Sequence, residues 1–402
     1  MRRISAAICV LACLPLLLAA CGTKAPDHAA PPAGADLTGD FGGVAPGSLL
    51  SAETMPDLDP QLRAETSVAA RITYLSTSGV DRSRQKVSGT VFVPKGDPPP
   101  GGWKIVAYGH PATGIHAECA PSNSPTLLGS EPTVAALVEA GFMVTMADYQ
   151  GLGLDGVYHP FLDSTTEGYN LIDSVLAARK LVPSASGQWA AYGVGQGGQA
   201  AWAANELTPD YRAGLNFVGA AAVAPLAALD GLADTAANGT LTSDQQLTLV
   251  QFLAAQKAEY GDFDLDAYRH GVAKENWDVL SACWGSTPED RLRIAAQMGP
   301  DDLRPDGEDA TQVLRGYLQK TSLPQAPAAV PMVIVPAAPD GPIPQAQTDA
   351  AIVRACAMGD VLATGAPEGD GDGTAVLGWI TDRFNGVPAK NDCAEPTATD
   401  AG

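Results

Sequence analysis

The segment Ala190-Ala191-Tyr192-Gly193-Val194-Gly195-Gln196-Gly197-Gly198-Gln199-Ala200 carries the strongest chemical signal in this 402-residue chain. A short apolar run, a glycine-rich turn and a helix-forming stretch follow one another without a gap. Two kinds of chemistry use such a turn. In a nucleophile elbow, Gly-x-Ser-x-Gly, small flanking residues let a strained turn lift a serine above the end of a sheet. Here Gly193 and Gly197 flank the turn, and its centre is Gly195. Glycine accepts the strained dihedrals but offers no hydroxyl, thiol or carboxylate. The same string also reads Gly-x-Gly-x-x-Gly through Gly193, Gly195 and Gly198, a dinucleotide fingerprint. That reading needs an acid at the end of the next strand to hold a ribose. The next apolar run ends in Ala224-Pro225 and the first acid after it is Asp230, so dinucleotide binding is the weakest reading.

An elbow nucleophile also needs an acid and then a histidine further along the chain. The five histidines stand at 28, 110, 116, 159 and 270, and none follows. Without an imidazole to take its proton a hydroxyl is not activated. A relocated pair would have to draw on Ser122 or Ser124 with His110, His116 or His159, and nothing in their spacing demands it. His110 is expected to brace its own loop, and His159 to pack or hydrogen-bond locally. Two acidic runs, Asp262-x-Asp264-x-Asp266 and Glu368-x-Asp370-x-Asp372-Gly373, resemble the start of calcium loops. Their twelfth positions are Ala273 and Trp379 instead of a bidentate Glu, so they read as solvated loops. No metal and no cofactor is expected.

These residues need a scaffold, and the chain supplies one by alternation. Ser67–Thr77 and Lys86–Pro94 read as an antiparallel strand pair. Strands follow at Trp103–Tyr108, Phe142–Ala147, Gln188–Tyr192 and Asn216–Ala224, with helices at Glu131–Ala140, Glu167–Val182 and Gln196–Leu207 between them. Residues 226–326 read as helices and loops. The strand pattern resumes at Val330–Val335, followed by helix Gln345–Ala357, strand Asp360–Thr364 and helix Ala375–Phe384. Strand–helix alternation means a mostly parallel sheet covered on both faces. A helical insertion between two of its strands is a cap over the carboxyl edge, where such sheets keep their sites.

Composition bounds the function. With 46% hydrophobic and 17% charged residues the chain can bury a large core, and the balance of 45 acids against 24 bases gives a net charge of −21. That excludes a nucleic-acid partner, which needs a basic face. It also argues against docking on anionic lipid head groups through a basic patch. The first residues are a targeting segment. Arg2 and Arg3 precede an apolar stretch to Ala20, then Leu18-Ala19-Ala20-Cys21-Gly22 resembles a lipoprotein cleavage site. On this reading residues 1–20 are a signal peptide, Cys21 carries lipid and anchors the protein outside the cytoplasm, and 21–46 is a flexible Ala/Pro/Gly-rich tether. Cys9 and Cys13 leave with the signal. Cys119, Cys283, Cys356 and Cys393 then remain, an even number that reads as two disulfides in an exported protein.

Four segments, the elbow among them, make the chain recognisable. Gly109-His110-Pro111-Ala112-Thr113-Gly114 with Cys119-Ala120-Pro121-Ser122, and Asp148-Tyr149-Gln150-Gly151-Leu152-Gly153 with His159-Pro160-Phe161, join the Tyr192–Ala201 elbow. Trp379-Ile380-Thr381-Asp382-Arg383-Phe384-Asn385-Gly386, with Cys393 beyond it, is the fourth. Over residues 50–395 these resemble the secretory lipases, α/β-hydrolase-fold proteins that act on acylglycerols and other esters. The family's elbow has His-Ser where this chain has Val194-Gly195. The resemblance implies an α/β fold with core segments 47–225 and 327–395 and a helical cap at 226–326. It places the family's acid at Asp340, beside Gly341 and Pro342, and pairs Cys119 with Cys283 and Cys356 with Cys393. The family's histidine would fall in 365–373, where acids and glycines stand instead. The anion-binding amides would be those of Gln196 and, with Pro111 lacking an N–H, of Ala112. The expectation is therefore a catalytically silent lipase-like protein that binds a lipid, fatty-acyl or ester ligand, or a partner at the cell envelope. An active esterase with a relocated nucleophile is the alternative.

Overall fold

A computed structural model describes residues 34–211, 214–284, 288–337, 343, 345–365 and 374–393. Nine strands form one sheet: β1 Leu49–Thr54, β2 Thr66–Thr77, β3 Arg84–Pro94, β4 Trp103–Gly109, β5 Met143–Ala147, β6 Ala185–Val194, β7 Asn216–Val223, β8 Met332–Val335 and β9 Leu362–Thr364. Their order across the sheet is β1-β2-β3-β5-β4-β6-β7-β8-β9. The pairs from β1 to β5 are antiparallel, and those from β5 onward to β9 are parallel.

The helices are α1 Pro60–Glu65, α2 Glu131–Glu139, α3 Ser164–Leu181, α4 Gln196–Tyr211, α5 Leu232–Ala237, α6 Ser243–Glu259, α7 Gly271–Glu275, α8 Trp277–Leu280, α9 Pro288–Ala295, α10 Gly307–Thr321, α11 Gln345–Ala357 and α12 Thr374–Phe384. Side chains alternate across a strand, so each central strand feeds two cores. Ile105, Ala107, Trp189 and Ala191 face the core under α3, α4 and α11, whereas Val106, Tyr108, Ala190 and Tyr192 face that of α1, α2 and α12. Burial on both faces explains why these strands read as unbroken apolar runs.

Residues 226–326 fold as α5 to α10 with loops, and no strand occurs there among the described residues. Helix α6 buries Leu247, Leu249, Val250, Phe252 and Leu253, which lie all round its axis, as expected of a helix enclosed by others. Helix α10 instead buries one stripe, Thr311, Leu314, Leu318 and Thr321, at helical spacing. Two disulfides are present, Cys119–Cys283 and Cys356–Cys393, the pairing that the family resemblance implied. The first ties the loop after β4 to the segment after α8, and the Trp284 N–H donates to Thr113 O beside it at 2.9 Å.

Two parts of the sequence reading need correction. Residues 34–46, read as the end of a flexible tether, lie against the core. Leu37 N–H donates to Ala52 O at 2.8 Å, Thr54 N–H to Ala35 O at 2.9 Å and Asp40 N–H to Lys180 O at 3.0 Å, and Leu37 packs on the main core. The segment satisfies backbone groups along β1 that an edge strand would otherwise expose. Strand β1 itself went unread, because six residues, Leu-Leu-Ser-Ala-Glu-Thr, show no clean alternation. The rest of the predicted tether and Cys21 lie outside the described residues.

Candidate functional site

The site is built where β4 and β6 end side by side, with Gly109 opposite Gly193. Three glycines are needed there by close approach. A Cβ on Gly193 would stand 1.9 Å from Gly197 O, and one on Gly197 1.8 Å from Gly109 O. The start of α4 therefore lies directly on the end of β4. Gly195, between β6 and α4, has φ +60°, in the left-handed region. Its N–H donates to Val223 O at 2.9 Å, and its carbonyl accepts from Gln199 N–H and Leu226 N–H, both at 3.1 Å.

A Cβ placed on Gly195 would meet only Pro111, at 3.9 Å. The turn keeps the geometry of a nucleophile elbow and leaves an open slot at its tip. No protein acceptor takes the N–H of Gln196, at the first position of α4, or that of Ala112, three residues beyond Gly109, among the described residues.

The histidines are committed elsewhere. His159 is fully enclosed, and its Nδ1–H faces Gln150 O at 2.8 Å, which leaves Nε2 as the acceptor. Gln196 Nε2 supplies one N–H to that nitrogen at 3.0 Å and the other to Glu167 Oε1 at 2.7 Å. Glu167 also accepts from Leu162 N–H at 3.0 Å. Burial pushes the His159 pKa down to about 3 and that of Glu167 well up. This closed chain fixes one neutral tautomer of His159 and spends its lone pair on an amide. His110 has Pro111 O at 2.7 Å from Nδ1 and Asp148 O at 3.3 Å from Nε2, and stacks on Tyr149 with ring centroids 4.5 Å apart. Burial lowers its pKa. It braces the loop after β4, as expected. His116 is exposed, and His270 faces Arg304 O at 2.9 Å.

The candidate relocated serines are engaged too. Ser122 donates to Asp148 Oδ2 at 2.5 Å and accepts from Arg71 Nε at 3.1 Å, and Ser88 donates to the same carboxylate oxygen at 2.6 Å. Ser124 sits near the surface, 3.4 Å from Thr126 Oγ1. Among the described residues, no hydroxyl is hydrogen-bonded to an imidazole. Asp340 and residues 366–373 lie outside the described residues. Of the acidic runs, Asp266 pairs with Arg269 at 2.8 Å and Lys274 at 3.2 Å, which suits a solvated loop.

The motifs left one contributor unread. Glu167, Asn170 and Asp173 form a buried polar stripe on α3, and they fasten the loop after β5 and strand β2: Gln150 N–H donates to Asn170 Oδ1 at 2.7 Å and Ser76 to Asp173 Oδ2 at 2.8 Å. Their i, i+3, i+6 spacing along one side of the helix was the available signal.

A mostly parallel sheet, helices on both faces and a glycine-pinched elbow at the carboxyl edge define an α/β-hydrolase fold. The secretory lipase profile matches residues 129–392, and the chain belongs to that family. Among solved structures, Candida antarctica lipase A in its closed state is similar at 16% identity with a TM-score of 0.67, over 88% of this chain and 86% of that one. A ligand-bound form of the rice cell wall degrading esterase LipA from Xanthomonas oryzae is similar at 21% identity with a TM-score of 0.66, over 86% and 97%. No curated protein matches the chain. Membership of a secreted family, with two disulfides, indicates an extracytoplasmic protein. No described helix is long and apolar enough to cross a membrane. The glycine fingerprint is thus a hydrolase elbow in the middle of a sheet, not a dinucleotide turn.

Proposed function

We propose that this protein is a catalytically silent member of the secretory lipases that binds a fatty-acyl or ester ligand beneath its cap, held at the cell membrane by lipid on Cys21. The observation that carries the reading is the open slot at Gly195. The elbow around it is intact, yet its tip bears no nucleophile, and the two buried imidazoles nearby face backbone carbonyls and an amide. Ala112 and Gln196 supply two unpartnered N–H groups for a ligand carbonyl or carboxylate, as in an oxyanion hole. Asp340, with no serine at 195 and no histidine after 270, has no triad to join.

Native mass spectrometry of protein extracted from its own membrane is expected to show a retained acyl-bearing mass. Gly195→Phe, which fills the slot, is expected to release it. Ligand-free wild type, or retention unchanged in Gly195→Phe, would contradict the proposal.

A further inference from the structure

A second recessed site lies away from the elbow, between the last turn of α3 and the loop that brings the chain from Gly34 to β1. It measures about 490 Å³ and is lined by Gly43, Gly47, Ser48, Leu176, Arg179 and Lys180, among others. Gly47 lets the loop close on α3, and Gly43 lets it turn back on Ser48. A Cβ on Gly47 would stand 2.6 Å from Leu176 Cδ1, and one on Gly43 would stand 2.6 Å from Ser48 Oγ; both have positive φ, +81° and +114°. Gly43, Val44 and Ala45 present N–H groups that no protein acceptor takes among the described residues.

The cations of this pocket stand out in so acidic a chain. Arg179 has no hydrogen-bond or ion-pair partner among the described residues, and its Nε is buried. Lys180 beside it pairs with Asp40 at 3.0 Å and reaches Gly42 O at 3.3 Å, which leaves one of its three donors. Stabilising the negative end of a helix needs only exposed cations and leaves a buried, unpartnered Nε unexplained. On the same loop Phe41 and Val44 are 42% and 72% exposed, the apolar flank that an amphiphile would use.

We propose that this pocket binds a phosphate group. Arg179 supplies the uncompensated charge, and the remaining Lys180 N–H, Ser48 and the glycine-loop N–H groups supply further donors, the combination that recognises a tetrahedral dianion or diester. The group belongs either to a membrane phospholipid or to a soluble phosphate ester. A recessed pocket with one uncompensated guanidinium differs from the basic surface patch that the composition argues against. The site is independent of what binds above Gly195.

Phosphorus NMR titrations of the full chain in neutral detergent, with inorganic phosphate and separately with dihexanoyl phosphatidylglycerol, test it. The expected result is binding that weakens at least about tenfold in Arg179→Gln. It should persist in Arg293→Gln, whose guanidinium pairs with Asp290 in the cap. Such binding by the lipid alone assigns a headgroup site, and by inorganic phosphate as well, a site for the phosphate group itself. Binding by neither probe up to about 10 mM, or binding unchanged in Arg179→Gln, overturns the proposal.

Discussion

Gly197→Ala is expected to destabilise the fold by more than about 3 kcal/mol, while Gly195→Ala, two residues away, costs about 1 kcal/mol. At position 197 the added methyl would stand 1.8 Å from Gly109 O and 2.2 Å from its carbonyl carbon, so backbone must move against backbone. Such a clash cannot be relieved by a rotamer change. At position 195 the methyl meets nothing nearer than 3.9 Å and bears only the cost of its positive φ. Urea unfolding of the two variants checks this, with a much lower midpoint, or no soluble protein, for Gly197→Ala. Equal midpoints would mean that α4 does not press on β4 as described. The contrast matters functionally: the elbow remains shaped to present a side chain at the one position where none exists.

The second large effect concerns the cap. Cys119–Cys283 closes a loop of 164 residues and Cys356–Cys393 one of 37. On the chain-entropy account their removal costs about 5 and about 4 kcal/mol respectively. The costs are similar, and the locations differ. Replacing both Cys119 and Cys283 by serine is expected to loosen the cap where it meets the loop after β4, since only the Trp284 N–H to Thr113 O bond would remain of the two links described there. Hydrogen exchange should then accelerate in 271–295 and in 111–119 ahead of the sheet. Uniform acceleration across the molecule, with no lead in those segments, would show that the disulfide does not act locally.

The scaffold was legible because its rules are local. Unbroken apolar runs marked strands buried on both faces, and the glycine spacing around position 195 marked the elbow. Helix Gln345–Ala357 was read to the residue. The absence of serine at 195 and of histidine after 270 needed only chain order. The disulfide pairing was not derivable from spacing and came from the family resemblance. What escaped depends on partners distant in sequence. Residues 34–46 have a loop's composition and become ordered through bonds to Ala52, Thr54 and Lys180, which no local pattern announces. Glu167 and Gln196 meet only because α3 and α4 pack together, so the amide that spends the His159 lone pair could not be read from either segment alone. Nothing in the local sequence distinguishes Arg179 from an ordinary cation at a helix end, because its lack of a partner depends on the fold.

On the proposed function, this secretory lipase scaffold performs no ester hydrolysis. Purified protein should be incubated with p-nitrophenyl butyrate and, in parallel, with a fluorophosphonate that labels activated serines. The expected result is release at the buffer rate and no labelled residue. Steady turnover with a single labelled serine, abolished by Ser122→Ala, Ser124→Ala or His159→Ala, would contradict it.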